Sequence, residues 1–221
     1  MSSSSAKPRG PGGVPRKIRT VVGLGLVLIA GVGTWMAAVR DTGGRPMPPS
    51  TQARSVDAVP APARPDELVE FRHDQVGFAL SYPKAWVRAT APNPQIVLVA
   101  AEHDPAKNLG GSILVRVTPL DTPVGKAQLG ETRKATDALV TSSEGVVLKA
   151  EPAEIEQGGL PGLYYLYTFR DPVSGLVGAH SHYFLFRGST MISIVFQSLP
   201  DGDFGRLARL FDRVAGSLRA L

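Results

Sequence analysis

Hydrophobic and polar positions divide the chain into three regimes. From Thr20 to Val39 the sequence TVVGLGLVLIAGVGTWMAAV holds twenty positions without a charge. At 1.5 Å rise per residue a helix of that length spans about 30 Å, the thickness of a bilayer's hydrocarbon core. No polar stripe interrupts it, as one would in a helix packed on a soluble core. From Arg40 to Pro65 the pattern is low in complexity and rich in proline, with Pro46, Pro48, Pro49, Pro60, Pro62 and Pro65. From Asp66 onward the periods of folded structure take over.

Period two comes first. Phe78, Leu80 and Tyr82 of GFALSYP share one face of a strand that Pro83 ends, and AWVRA continues after the turn. QIVLVAAEH (95–103) and GSILVRVTPL (111–120) are further strands, parted by the turn-prone DPAKNLGG. Between Pro123 and Ser142 the alternation stops. Leu129, Thr132, Ala135, Ala138 and Leu139 fall on one side of a predicted helix. Strands return with VVLKAEPAEIEQ (146–157), LPGLYYLYTFR (160–170), LVGAHSHYFLFR (176–187) and TMISIVFQSL (190–199). The short loops between them, Gly158–Gly159, DPVSG and Gly188–Ser189, mark an antiparallel meander. A final helix carries Phe204, Leu207, Leu210, Phe211, Val214 and Leu218 at three- and four-residue intervals, with Asp201 or Asp203 as its N-cap. The class is α+β: an antiparallel sheet with helices packed on it, preceded by one transmembrane helix.

Charge then fixes orientation. The formal net charge is +5, yet Lys7, Arg9, Arg16, Lys17 and Arg19 lie before the apolar run with no acid among them. Removing those five from the 24 bases leaves 19 against 19 acids, so the rest of the chain is neutral and offers no basic surface for nucleic acid. Bases before the run and a cancelling Arg40–Asp41 pair after it place the N-terminus in the cytoplasm and the domain outside. A cleaved signal peptide is the competing reading. Its apolar region would be about 7–15 residues with small residues at −3 and −1, whereas cleavage after Ala37 or Ala38 leaves Trp35 or Met36 at −3. An uncleaved anchor is therefore expected. Residues 1–19 read as a disordered basic tail, 20–39 as the span, 40–65 as a proline-rich stalk and 66–221 as the outer domain. Ala30, Thr34 and Ala38 form a small-residue face of the kind that packs helices in membranes, a spacing also common by chance.

Cysteine is absent. Disulfides, thiolate metal sites, a cysteine nucleophile and a lipidated cysteine are all excluded. Abundant Ala, Gly, Val, Arg and Pro point to a GC-rich, actinobacterial genome.

Catalytic motifs are missing too. No Gly-x-Ser-x-Gly, phosphate-cradling Gly-x-x-x-x-Gly-Lys or His-Glu-x-x-His occurs, and Gly110–Gly111 precedes a strand instead of a helix. Glu154 and Glu156 are same-face strand neighbours expected in solvent. One constellation is chemically suggestive. His180 and His182 in GAHSHYF lie two apart and so face the same side of a strand. A zinc or copper site needs three or four ligands, for which His73, His103 and Asp171 are the available candidates. The plainer expectation puts the pair on a solvent face, with Ala179, Ser181 and Tyr183 opposite. Tyr165, Tyr167 and Phe169 share one face of their strand, and Tyr164, Leu166 and Thr168 the other, as in a strand covered on both sides.

The segment FRHDQVGFALSYPKAWV, with Phe71, Gly77, Phe78, Tyr82, Pro83 and Trp86, resembles the opening of the PsbP-like fold. The element order matches over residues 66–221. That family includes the photosystem extrinsic protein, a Ran-binding protein and actinobacterial LpqN-type envelope lipoproteins, from which this chain departs in having an anchor in place of the lipid-bearing cysteine. The resemblance implies an α/β/α sandwich that usually binds and seldom catalyses. Three readings follow. The leading one is a non-catalytic, membrane-anchored extracytoplasmic interaction module for an envelope protein or cell-wall component, without cofactor. The second is a lipid- or amphiphile-binding domain. The third is a metal-dependent enzyme using His180 and His182.

Overall fold

The computed structural model describes residues 67–91, 93–105 and 108–221. The tail, the apolar run and the stalk lie outside the described residues. Ten strands and two α-helices appear in this order: β1 (Leu68–His73), β2 (Phe78–Pro83), β3 (Val87–Arg88), β4 (Ile96–Ala101), β5 (Gly110–Val124), α1 (Leu129–Thr141), β6 (Val147–Leu148), β7 (Ala153–Gln157), β8 (Leu160–Arg170), β9 (Val177–Leu199), α2 (Phe204–Gly216) and β10 (Arg219–Ala220). The large sheet runs β3-β4-β5-β9-β8-β6, with β7 also on the outer edge of β8, and every pairing is antiparallel. A small sheet orders β1-β2-β10, with β2 central.

Strand β9 is one extended run of 23 residues, but it cannot be straight. Seventeen residues of straight strand would separate Gln197 from His180 by about 55 Å, whereas Oε1 of Gln197 lies 3.0 Å from Nε2 of His180. The run doubles back at Gly188, whose φ of +56° glycine adopts without steric cost. Its first limb pairs with β8 from Arg170↔Val177 to Gly162↔Leu185. Its second pairs with β5 from Pro119↔Thr190 to Gly110↔Leu199. The Gly188–Ser189 turn expected from the alternation is therefore present, within a continuous strand.

Each face of the large sheet has its own cover. Leu98, Ala100, Ile113, Val115, Leu185, Ile192, Ile194 and Phe196 face α2 and the small sheet, where Phe78, Leu80, Phe211 and Val214 complete the core. Leu163, Tyr165, Tyr167, Phe184, Phe186 and Met191 face the other way, with Leu129 and Val140 of α1. The resulting layering is the α/β/α sandwich expected, and Tyr82 and Trp86 of the Tyr-Pro-x-x-Trp segment lie in the first core.

Local details differ from the sequence expectation in four places. Helix α1 buries Leu129, Thr132, Thr136 and Val140 instead of the Ala135–Ala138–Leu139 side. Burial of Thr136 is tolerated because its hydroxyl donates to the Thr132 carbonyl at 2.9 Å. Asp203 precedes α2 but makes no side-chain cap; a 3-10 turn over Asp201–Asp203 leads into the helix. The other end is capped from outside: Ser217 donates to the Val214 carbonyl at 2.6 Å, and the Gln157 amide to the Ala215 carbonyl at 2.8 Å. Finally, β1 and β10, which the period-two reading passed over, flank β2. Strand β1 is exposed along much of its length and β10 has two residues, so neither shows a clear alternation.

Phe211 stacks near Phe196 at 5.1 Å between centroids and is fully buried. Phe211→Ala should therefore lower unfolding stability by about 3–5 kcal/mol, while Asp203→Ala should change it by about 0.5 kcal/mol or less. Denaturant unfolding of both variants measures this contrast.

Candidate functional site

The aromatic run of β8 and the histidine run of β9 meet through the register Tyr165↔His182 and Tyr167↔His180. Tyr167, His180 and His182 point toward the α1 side, as the alternation requires. They are not on a solvent face: His180 is 2% and His182 5% exposed. The expectation of solvated histidines fails because the second limb of β9 folds alongside the first, and because aromatic rings close over them. Phe169 lies 4.1 Å from His180 between centroids, and Phe184 stacks on His182 at 3.8 Å. Gly178, opposite Phe169, makes room for that ring: a Cβ there would come within 2.5 Å of it.

Burial without charge compensation obliges both imidazoles to be neutral and hydrogen-bonded. They are both. The Tyr167 hydroxyl lies 3.1 Å from Nδ1 of His180 and 3.1 Å from Nδ1 of His182. Nε2 of His180 meets Oε1 of Gln197, and Nε2 of His182 meets Oγ of Ser193 at 2.7 Å. All four ring nitrogens have a partner. With Oε1 of Gln197 facing His180, the proton directions follow by elimination. Nε2–H of His180 donates to Gln197, so its Nδ1 accepts from the Tyr167 hydroxyl. The Tyr167 oxygen then accepts from Nδ1–H of His182, whose Nε2 accepts from Ser193. Beyond Gln197 the chain continues: its amide donates to Oδ1 of Asn108 at 2.7 Å, and the Asn108 amide reaches Oδ1 of Asp171 at 3.5 Å. Asp171 is itself buried, accepting from the Ser174 amide at 2.8 Å and its hydroxyl at 2.6 Å. Seven side chains thus form one directed hydrogen-bonded row, ending on a carboxylate.

Titration follows from this environment. Burial pushes His180 down to about 4, partly opposed by its bond to Gln197. Burial, with His180 beside it, holds His182 well below the ordinary histidine range. Burial also raises the Tyr167 phenol far above its usual value, so it stays protonated. Tyr165 is raised too, by burial and then by its hydroxyl's bond to Asp137 of α1 at 2.7 Å.

As a metal centre the arrangement is poorly suited. The expected pairing of His180 and His182 on one face holds, but a cation would have to displace Tyr167, Gln197 or Ser193 from the ring nitrogens. His73 stacks on Phe78 in the small sheet, and Asp171 is reached only through Asn108. Among the described residues no three His, Asp or Glu side chains converge. Glu154 and Glu156 are exposed, Glu156 lying 3.7 Å from Lys126. The sequence reading passed over Ser193, Gln197 and Asn108. A polar residue at alternate positions of an otherwise apolar strand, Ser193 and Gln197 in MISIVFQSL, was the available signal.

No protein-family model matches the chain, and no curated protein sequence matches it. Among solved structures, the LpqN protein of Mycobacterium tuberculosis, described as involved in cell envelope biogenesis, superimposes with a TM-score of 0.52 at 10% identity, over 69% of this chain and 90% of that one. CyanoP, the cyanobacterial PsbP of Synechocystis sp. PCC 6803, gives 0.50 at 14% identity, over 76% of this chain and 98% of that one. The domain has a PsbP-like fold. At such identities the likeness is one of architecture, and the polar row belongs to this chain's own residues.

The folded domain keeps His180 neutral down to about pH 4, whereas the unfolded chain takes up that proton near 6.5. The stabilising contribution is complete above pH 6.5 and is lost as pH falls toward 4. Between pH 7.5 and 5, above the carboxylate range, His180 alone should cost about 2 kcal/mol of stability. Urea unfolding across that window measures it; a flat profile would contradict the burial of a neutral imidazole.

Proposed function

We propose that this chain is a single-pass membrane protein of a bacterial, actinobacterial-type envelope, whose outer PsbP-like domain is a non-catalytic binding module for another envelope protein. The apolar run at 20–39 with its preceding bases supports the anchor, and the proline-rich segment at 40–65 supports a spacer that holds the domain away from the bilayer.

One observation carries the binding role. Exposed apolar side chains gather at one end of the large sheet: Val173 and Leu176 in the β8–β9 loop, Val177 at the start of β9, Val147 on β6 and Leu109 just before β5. The registers Val147↔Thr168, Arg170↔Val177 and Gly110↔Leu199 bring these elements to the same end. Val147 is 56% and Val173 50% exposed, and apolar side chains gathered at one end of a sheet are the kind of surface that supports a protein contact. The catalytic alternative is weakened by the same geometry that explains the histidines, because every ring nitrogen is engaged within the protein.

A membrane-impermeant amine-reactive crosslinker, applied to intact cells, tests both placement and role. Lys84 and Lys126 are well exposed and available to it. A discrete heavier species is expected in intact cells, reduced several-fold in a Val173→Asp, Leu176→Asp variant. Reaction only after lysis would refute the outward placement. Reaction in intact cells without a discrete partner, or with one indifferent to those substitutions, would refute the docking role.

A further inference from the structure

We infer that Arg116 and Thr118, beside Ser193, form a site for a small oxyanion, a phosphate or the phosphate of a lipid headgroup, on the α1-side face of the sheet. Arg116 and Thr118 stand two residues apart on β5 and so share a face. Ser193, on the second limb of β9, is the direct cross-strand partner of Arg116. On the other side Arg116 is paired with Ile96 of β4, and its Nη2 donates to Oε1 of Gln95 just before that strand. Its Nε is buried and unpartnered, and so is Oγ1 of Thr118. Two donors with nothing to bond therefore sit side by side on one sheet face.

The charge is uncompensated as well. Among the described residues Arg116 forms no ion pair, and its side-chain hydrogen bond goes to a neutral amide. Burial lowers its pKa, with no carboxylate acting against that shift. Some arginines of this domain do find carboxylates: Arg206 grips Glu102 with two bonds of 2.8 and 2.9 Å, and Arg219 meets Glu70 at 2.8 Å. A partly desolvated guanidinium beside an unpartnered hydroxyl is the environment in which a bound oxyanion restores both the charge balance and the missing hydrogen bonds. Ser193 links the site to the polar row, since its hydroxyl is directed at His182. A phosphate oxygen that accepted the Ser193 proton instead would leave Nε2 of His182 without a donor. The site is therefore expected to bind through Arg116 and Thr118 first.

The experiment uses the full chain in neutral detergent at constant ionic strength. Thermal unfolding is followed against inorganic phosphate, with chloride as the matched control. A parallel arm presents bicelles containing phosphatidylglycerol, against bicelles of phosphatidylcholine alone. Arg116→Gln and Thr118→Val are measured alongside, the second guarding against a folding defect in the first. The site predicts a saturable rise in Tm with phosphate or phosphatidylglycerol, an apparent Kd at least ten-fold weaker in Arg116→Gln, and a several-fold weakening in Thr118→Val. Saturation by free phosphate identifies a soluble anion; a response confined to phosphatidylglycerol identifies the headgroup. No saturable response in either arm overturns the site. So does an equal response in the wild type and both variants.

Discussion

Two neutral imidazoles are buried side by side without any charge to balance a proton on either, and the large sheet is arranged around that constraint. Neutral histidine has one donor and one acceptor, so a pair in the interior is stable only if all four ring nitrogens find partners of the right kind. Tyr167 serves both rings at 3.1 Å because a phenol can donate and accept at once. The outer nitrogens take Gln197 and Ser193. Removing any member leaves its neighbour unsatisfied in a low-dielectric interior, where a missing hydrogen bond costs about 1–3 kcal/mol. The row therefore helps to specify how the limbs of β9 align with each other and with β8.

Backbone geometry makes that row possible. The reversal at Gly188 brings Gln197 back to His180, and Gly178 admits the Phe169 ring that seals the pair on one side. On the opposite side of the sheet, α2 and β2 bury a conventional apolar core, with Phe211 against Phe196. The domain thus has one face held chiefly by apolar area and another whose packing is interleaved with polar commitments. The exposed apolar residues at the sheet end lie outside both cores, and Arg116, on the α1-side face beside Ser193, keeps a buried Nε without a partner.

Much of the fold was legible in the sequence. Strands β2 and β8 followed from alternation, β4 and β5 from their runs of β-favouring residues, α2 from its three- and four-residue apolar spacing, and the β9 reversal from Gly188–Ser189. The Tyr-Pro-x-x-Trp resemblance supplied the layering. Other features were hidden for physical reasons. Leu129 and Thr132 of the buried side of α1 were readable, but Thr136, whose hydroxyl bonds to its own helix, was not, so the face was drawn through Ala135 and Ala138 instead. Strand β10 has only Arg219 and Ala220, too short for any period to register. The same-face placement of His180 and His182 was readable, but their burial was not: it depends on Tyr167 and Phe169 of β8 and on Ser193 and Gln197 of the returning limb, and no local pattern encodes that. The orphaned atoms of Arg116 and Thr118 were likewise invisible, because a missing partner is a property of the assembled sheet.

The row closes only if both histidines are neutral and in opposite tautomers. Long-range proton–nitrogen correlation spectra of the uniformly labelled protein at pH 7 read this directly from the ring nitrogen shifts. The structure predicts the proton on Nε2 of His180 and on Nδ1 of His182. A charged ring, or both rings in the same tautomer, would contradict the directed row and with it the account of this face of the sheet.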